Sequence, residues 1–271
     1  MQKLVITLLI SFFSLGSHAE SSETKKFTKA LSNEVSLYAM MSSNAYANDS
    51  DKTPFPIESL GWRKVDLQGN PVAESKNSYT SKTLVGSIFS NLQFDIWEDQ
   101  NSNQTIIAFK GSKEIIDWMN GDLAIGISIP YKSAKKHVKD YMKANPERKV
   151  SVTGHSLGGG LALSVSFWEG VDAIVFNTSP RIFDGVSNAN HSAKRLAVFQ
   201  HDEILQKIRK RYPKFLQKIE PEQIMETRFN YLRRQSHKID LLAQGLLACS
   251  DTPDLKRMAA SVAITVSCYL D

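Results

Sequence analysis

The segment from residue 149 to residue 168 constrains the fold more than any other part of this 271-residue chain. Lys149 to Thr153 is a short run with β-branched residues that predicts a strand, and Leu157 to Trp168 is rich in small and apolar residues and predicts a helix. Between them lies a Gly-x-Ser-x-Gly sequence, Gly154-His155-Ser156-Leu157-Gly158. A strand-to-helix turn this sharp strains its central residue, and glycine on either side avoids the clash. The pattern therefore predicts an exposed Ser156 hydroxyl at the carboxyl edge of a sheet.

Strands and helices alternate around this turn. Residues 132–143 form a charged amphipathic pattern typical of a helix, and Val171–Phe176 and Arg195–Phe199 are apolar runs typical of strands. Such alternation implies crossover connections and a largely parallel sheet. Leu92–Trp97 and Thr105–Phe109, separated by EDQNSN, predict an antiparallel hairpin. The predicted fold class is α/β, with a mostly parallel central sheet, helices on both faces and an antiparallel N-terminal edge.

The first 19 residues differ from the rest of the chain. Lys3 provides a positive start, an apolar stretch runs from Leu4 to Leu15, and Ser17-His18-Ala19 offers small residues at a cleavage position. The apolar core is shorter than the roughly 20 residues of a spanning helix. We therefore expect residues 1–19 to be a signal peptide, export to the periplasm or the outside, and a single domain over residues 20–271 without repeats or long linkers.

Charge and cysteine content add two open questions. The net charge of +5 is partly concentrated in KIRKRYPKFLQK, residues 207–218, which is either a solvated helix face or a surface that attracts anionic lipid head groups. Cys249 and Cys268 either form a disulfide in an oxidising compartment or remain two buried thiols. No metal site is indicated, no motif supports nucleic-acid binding, and no cofactor is expected.

A serine nucleophile needs a histidine base, which in turn needs a carboxylate to orient it. In a strand-turn-helix arrangement of this kind the order along the chain is serine, acid, histidine. Asp202 lies just beyond the strand that ends at Phe199, where such an acid belongs, and Asp184 and Glu203 are its alternatives. With Asp202 as the acid, His237 is the base, because the other histidines beyond Ser156, His191 and His201, precede Asp202.

Over roughly residues 90–245 the chain resembles the class 3 lipase family of α/β-hydrolases. The resemblance is carried by IAFKGS at 107–112 with Asp117-Trp118 and Asp122-Leu123, by TGHSLGG at 153–159, and by Asp202 and Ser236-His237. Lys110 stands where the family usually has arginine. The resemblance implies an α/β-hydrolase fold and an oxyanion hole formed by the backbone N–H groups of Ser112 and Leu157, assisted by the Ser112 hydroxyl.

Together these features predict a secreted serine hydrolase that cleaves lipid esters, as a lipase or phospholipase, through a Ser156-Asp202-His237 triad and an acyl-enzyme intermediate. The alternatives are an acyltransferase or a small-ester carboxylesterase on the same scaffold, and a non-catalytic lipid-binding protein. The expected partners are a lipid or ester substrate and, through residues 207–218, an anionic membrane surface.

Overall fold

The computed structural model describes residues 26–46, 54–73, 75–85, 88–111, 128–180, 182, 192–206, 224–231 and 236–268. The predicted signal peptide and the basic segment 207–218 lie outside these residues. In chain order the elements are α1 (Lys29–Asn44), a 3-10 turn (Ile57–Leu60), β1 (Trp62–Val65), β2 (Tyr79–Val85), β3 (Ile88–Asp99), β4 (Gln104–Phe109), α2 (Ser128–Ala144), β5 (Lys149–His155), α3 (Leu157–Glu169), β6 (Asp172–Phe176), β7 (Arg195–Gln200), β8 (Met225–Phe229), α4 (Ile239–Cys249) and α5 (Pro253–Ser261).

The eight-stranded sheet has the order β1-β3-β4-β5-β6-β7-β8, with β2 also paired to β3. The strands from β4 to β8 are parallel to one another, whereas β1, β2 and β4 all pair with β3 in antiparallel orientation. The outer edge of β3 is divided between two short strands, because β1 pairs with residues 96–99 and β2 with residues 88–94. The predicted hairpin is β3–β4, and the predicted parallel sheet with an antiparallel N-terminal edge is confirmed.

Alternating side chains along each strand build one core on each face of the sheet. In β4, Ile106 and Ala108 face the cluster that contains α1, α4 and α5, while Ile107 and Phe109 face the cluster that contains α2 and α3. Helices therefore cover both faces, as predicted, and β4, β6 and β7 carry apolar residues on both sides of the sheet.

Small residues, a side-chain cap and a proline mark the three helices around the strand-turn-helix segment. In α3 the residues from Gly158 to Phe167 are all buried, which suits a helix with almost no polar face. Helix α1 begins after Thr28, whose side-chain oxygen accepts a hydrogen bond from the Leu31 N–H at 3.2 Å. Helix α2 starts four residues earlier than predicted, because Pro130 is compatible with a first helical turn, where the missing N–H has no intrahelical partner.

The C-terminal part of the chain is covalently closed. Cys249, the last residue of α4, forms a disulfide with Cys268, and the Cα atoms are 4.9 Å apart. Of the two alternatives left by the sequence, the structure has the disulfide. The described helices include none that is both long enough and apolar enough to cross a membrane.

Candidate active site

The turn between β5 and α3 holds Ser156 in a strained conformation. Ser156 has φ 60° and ψ −124°, a region that non-glycine residues rarely occupy. Its backbone is fixed by hydrogen bonds, with its N–H donating to Phe176 O at 3.1 Å and its carbonyl accepting from Ser179 N at 2.9 Å. Position 154 also requires glycine for steric reasons, since a Cβ there would lie 2.4 Å from the carbonyl of Gly158.

The Ser156 hydroxyl begins a hydrogen-bonded series of three side chains. Its Oγ lies 3.0 Å from His237 Nε2, and His237 Nδ1 lies 2.9 Å from Glu203 Oε2. His237 comes directly before the residue that caps α4, so the docking of that helix sets the position of the ring. The sequence predicted an exposed hydroxyl, but Ser156 is only 1% accessible, with the His237 ring and Gly111 beside it.

The carboxylate in this series is Glu203, so the prediction of Asp202 is wrong. The Glu203 N–H donates to Gln200 O at 3.3 Å, which closes a turn, and Asp202 occupies the left-handed region there with φ 56°. The turn points Asp202 outwards: its side chain is 60% exposed and lies 3.5 Å from the equally exposed His201. Glu203 points inwards with a fully buried side chain, and its Oε2 also accepts from the Leu205 N–H at 2.8 Å.

Of the two predicted oxyanion residues, Leu157 lies among the described residues and Ser112 does not. Leu157 is the first residue of α3, so no carbonyl lies four residues earlier in the helix for its N–H, which belongs to the positive end of the helix dipole. Ser112 lies outside the described residues, as does Asp184. The preceding residue, Gly111, approaches the site closely, because a Cβ placed on it would lie 3.2 Å from Ser156 Cβ.

Two aromatic residues, His155 and Tyr46, lie beside this series on the side of α1. His155 is buried, and its ring lies 4.6 Å from the His237 ring and 5.9 Å from the Tyr46 ring. Tyr46 follows α1, and its hydroxyl lies 3.2 Å from His155 Nδ1 and accepts a hydrogen bond from the Gly111 N–H at 2.8 Å. The site therefore connects α1, the end of β4 and the turn after β5.

Sequence reasoning did not find all of these residues. It named Glu203 only as an alternative to Asp202. Both residues closely follow the end of β7, so their distance from that strand did not show which of them is the acid. Tyr46 carries no local motif and lies 109 residues before His155 in the chain, so nothing in the sequence indicated that the two meet.

Comparisons with known proteins agree with this architecture. A family profile described as "Phospholipase-like: Tle-like phospholipase domain" matches residues 37–198. Lipase II from Rhizopus niveus superimposes with a TM-score of 0.50 at 15% identity, covering 70% of this chain and 78% of that one. The lipase from Rhizomucor miehei, in its propeptide complex, gives 0.47 at 18% identity and 67% coverage of this chain.

The present chain covers 64% of the Rhizomucor lipase chain, slightly less than two thirds. At 15% identity the match to the Rhizopus niveus enzyme supports the fold alone, which is the predicted α/β-hydrolase fold. The family profile is stronger evidence, because its match to residues 37–198 spans more than half of the 271 residues. The match includes the second half of α1, the β3–β4 hairpin and the turn around Ser156. The chain therefore belongs to the Tle-like phospholipase domain family, a lipase-type family with the α/β-hydrolase fold.

Proposed function

We propose that this protein is an exported serine hydrolase that cleaves acyl esters of phospholipids. The observation that carries the proposal is the continuous series Ser156 Oγ, His237 and Glu203, with contacts of 3.0 and 2.9 Å. A serine hydroxyl becomes an effective nucleophile when a histidine accepts its proton, and a carboxylate on the far ring nitrogen holds that histidine in the required tautomer.

In the first step His237 Nε2 takes the proton of Ser156 while Oγ attacks the ester carbonyl. The developing oxyanion is stabilised by the N–H of Leu157 at the start of α3 and by Ser112, a role that the family resemblance suggests. His237 then returns the proton to the leaving alcohol, which leaves an acyl group on Ser156. In the second step water, deprotonated by the same histidine, attacks the acyl-enzyme and releases a fatty acid.

Phospholipid is preferred over triacylglycerol as the proposed substrate for two reasons. The family is described as phospholipase-like. The basic segment 207–218 would also favour an anionic lipid surface, where each basic residue contributes about 1 kcal/mol.

Export is part of the proposal. The segment 1–19 has the charge, apolar core and small residues of a cleavable signal. The disulfide between Cys249 and Cys268 supports it, because such bonds persist in oxidising compartments. Mass spectrometry of the protein recovered outside the cytoplasm should give a mature chain that begins at Glu20, and an intact Met1 would contradict the assignment.

The activity is tested by fatty-acid release from phosphatidylglycerol vesicles and from a triacylglycerol emulsion, with Ser156→Ala as the matched control. We expect release mainly from vesicles and its loss, by at least about a thousandfold, in the variant. Release mainly from the emulsion would make the protein a lipase, and release retained by Ser156→Ala would refute the nucleophile. Labelling of Ser156 by a fluorophosphonate excludes a non-catalytic binder, and faster transfer to an added alcohol than to water would identify an acyltransferase.

A further inference from the structure

The Tyr46 hydroxyl lies between the two chain segments that flank Ser156. It accepts a hydrogen bond from the Gly111 N–H at 2.8 Å and lies 3.2 Å from His155 Nδ1 and 3.5 Å from the His155 carbonyl oxygen. One hydroxyl group therefore connects the residue before Ser112 to the residue before Ser156. Tyr46 as a whole is 5% exposed, and Lys110 Nζ lies 5.6 Å from the centroid of its ring.

The fit around this hydroxyl is close on the Gly111 side. A Cβ on Gly111 would lie 2.4 Å from the Tyr46 hydroxyl oxygen and 2.6 Å from His155 O. These distances are shorter than any van der Waals contact, so a side chain there would push the segment after β4 away from the turn after β5. Glycine at position 111 is thus what allows the hydrogen bond to Tyr46 to form.

The position of Gly111 matters because the two proposed oxyanion donors sit on different segments. Leu157 belongs to the turn after β5, and Ser112 follows Gly111 after β4. Donors stabilise an oxyanion only when their distances to one point in space are fixed beforehand, and small misplacements are costly. A group that holds Gly111 against His155 therefore fixes the end of β4 relative to the turn that carries Leu157.

We propose that Tyr46 is a positioning residue for the oxyanion hole: its hydroxyl holds Gly111, just after β4, against the nucleophile turn that carries Ser156 and Leu157. This inference rests on the proposed function. In this proposal Tyr46 acts through Gly111 and His155, so its loss should weaken stabilisation of the transition state and leave binding of the substrate unchanged.

Tyr46→Phe is the informative variant, because it removes only the hydroxyl. Tyr38→Phe is a matched control: Tyr38 lies on α1, and its hydroxyl forms a hydrogen bond with Ser151 at 3.3 Å, so the control also removes one tyrosine hydroxyl contact to β5. Both variants, the wild type and Ser156→Ala are assayed on a soluble p-nitrophenyl ester for kcat, KM, Tm and the pH dependence of activity. Gly111→Ala tests the same contact from the other side.

For Tyr46→Phe we expect kcat to fall about tenfold, less than the 10²–10³ for loss of a whole donor, with KM within about twofold and Tm close to that of Tyr38→Phe. Gly111→Ala should show the same kcat defect, and adding Tyr46→Phe to it should cause little further loss, because both act on one contact.

An unchanged kcat in Tyr46→Phe would overturn the inference. So would a loss of kcat accompanied by a shift of the acid-side midpoint of activity, which would mean that Tyr46 acts through His155 and the neighbouring His237 instead. If the wild type shows no Ser156-dependent hydrolysis, the proposed function fails. If the wild type is active and Tyr46→Phe has the same kcat, the proposed function stands and only the inference about Tyr46 fails.

Discussion

At the scale of single residues, a difference of one position in the chain determines which carboxylate contacts His237. Asp202 and Glu203 are adjacent, yet the turn after β7 leaves one side chain 60% exposed and the other fully buried. Aspartate is among the residues that tolerate a left-handed backbone, which suits position 202 to the turn. Glutamate at the next position then reaches His237 with its longer side chain.

Neutralising these two carboxylates in separate variants tests the assignment. Glu203→Gln should lower kcat by roughly two to four orders of magnitude, because the amide no longer stabilises the protonated histidine or fixes its tautomer. Asp202→Asn makes the same change of charge one residue away and should keep kcat within about twofold. Initial rates on a soluble ester, with Tm as a check of folding, measure both.

A larger loss in Asp202→Asn than in Glu203→Gln would restore the assignment that the sequence suggested. Sequence reasoning did find Ser156 and His237, since each has a local signature or follows from chain order. It assigned the acid to Asp202 and not to Glu203, because residue type alone does not reveal the backbone conformation at the turn, which determines which of the two points inwards.

At the scale of elements, the sequence was informative wherever a strand is buried on both faces. The apolar runs of β4, β6 and β7 and the β-branched run of β5 were predicted within a few residues. β8 was missed, because METRF alternates exposed or half-buried residues with buried ones and resembles a polar loop. Its role emerges only from pairing: His201 N donates to Phe229 O at 3.0 Å, so β8 supports the turn that carries Glu203.

The disulfide belongs to the same scale, because it connects the end of α4 to the segment after α5. Replacing both Cys249 and Cys268 with serine should lower stability by about 3 kcal/mol, the usual value for a loop of this length. That corresponds to a fall in Tm of roughly 5 to 12 °C. Activity at 25 °C should stay within about twofold, since His237 lies at the opposite end of α4.

Thermal unfolding with and without a reductant provides the control. The reductant should destabilise the wild type to the level of the double variant and leave the double variant unchanged. If the wild type and the double variant unfold at the same temperature, the bridge contributes nothing to the fold.

At the scale of the whole molecule, the distribution of charge bears on the proposed contact with an anionic lipid surface. The basic segment 207–218 lies outside the described residues, whereas α2 displays exposed lysines at 132, 139 and 143. These two groups allow a comparison in which the net charge changes equally. Changing Lys207, Arg209 and Lys210 to glutamine removes three positive charges. Changing the α2 lysines at positions 132, 139 and 143 to glutamine removes three others.

If the segment 207–218 contacts anionic lipid, its variant should bind phosphatidylglycerol vesicles roughly a hundredfold more weakly at low salt, from about 1 kcal/mol per basic residue. The α2 variant should remain within about threefold of the wild type. Vesicle sedimentation measures both, with phosphatidylcholine vesicles as the uncharged reference. Equal weakening of the two variants would mean that net charge alone, and not this segment, attracts the protein to lipid.

The pairing of α1 with α4 brings together elements from opposite ends of the described chain. Ser36 on α1 contacts Ser250 just beyond α4 at 2.8 Å, and His237 immediately precedes α4. A chain synthesised only as far as α3 therefore carries Ser156 with neither its base nor its carboxylate. The proposed activity therefore stays latent during synthesis of the chain and can begin only when the last helices have docked.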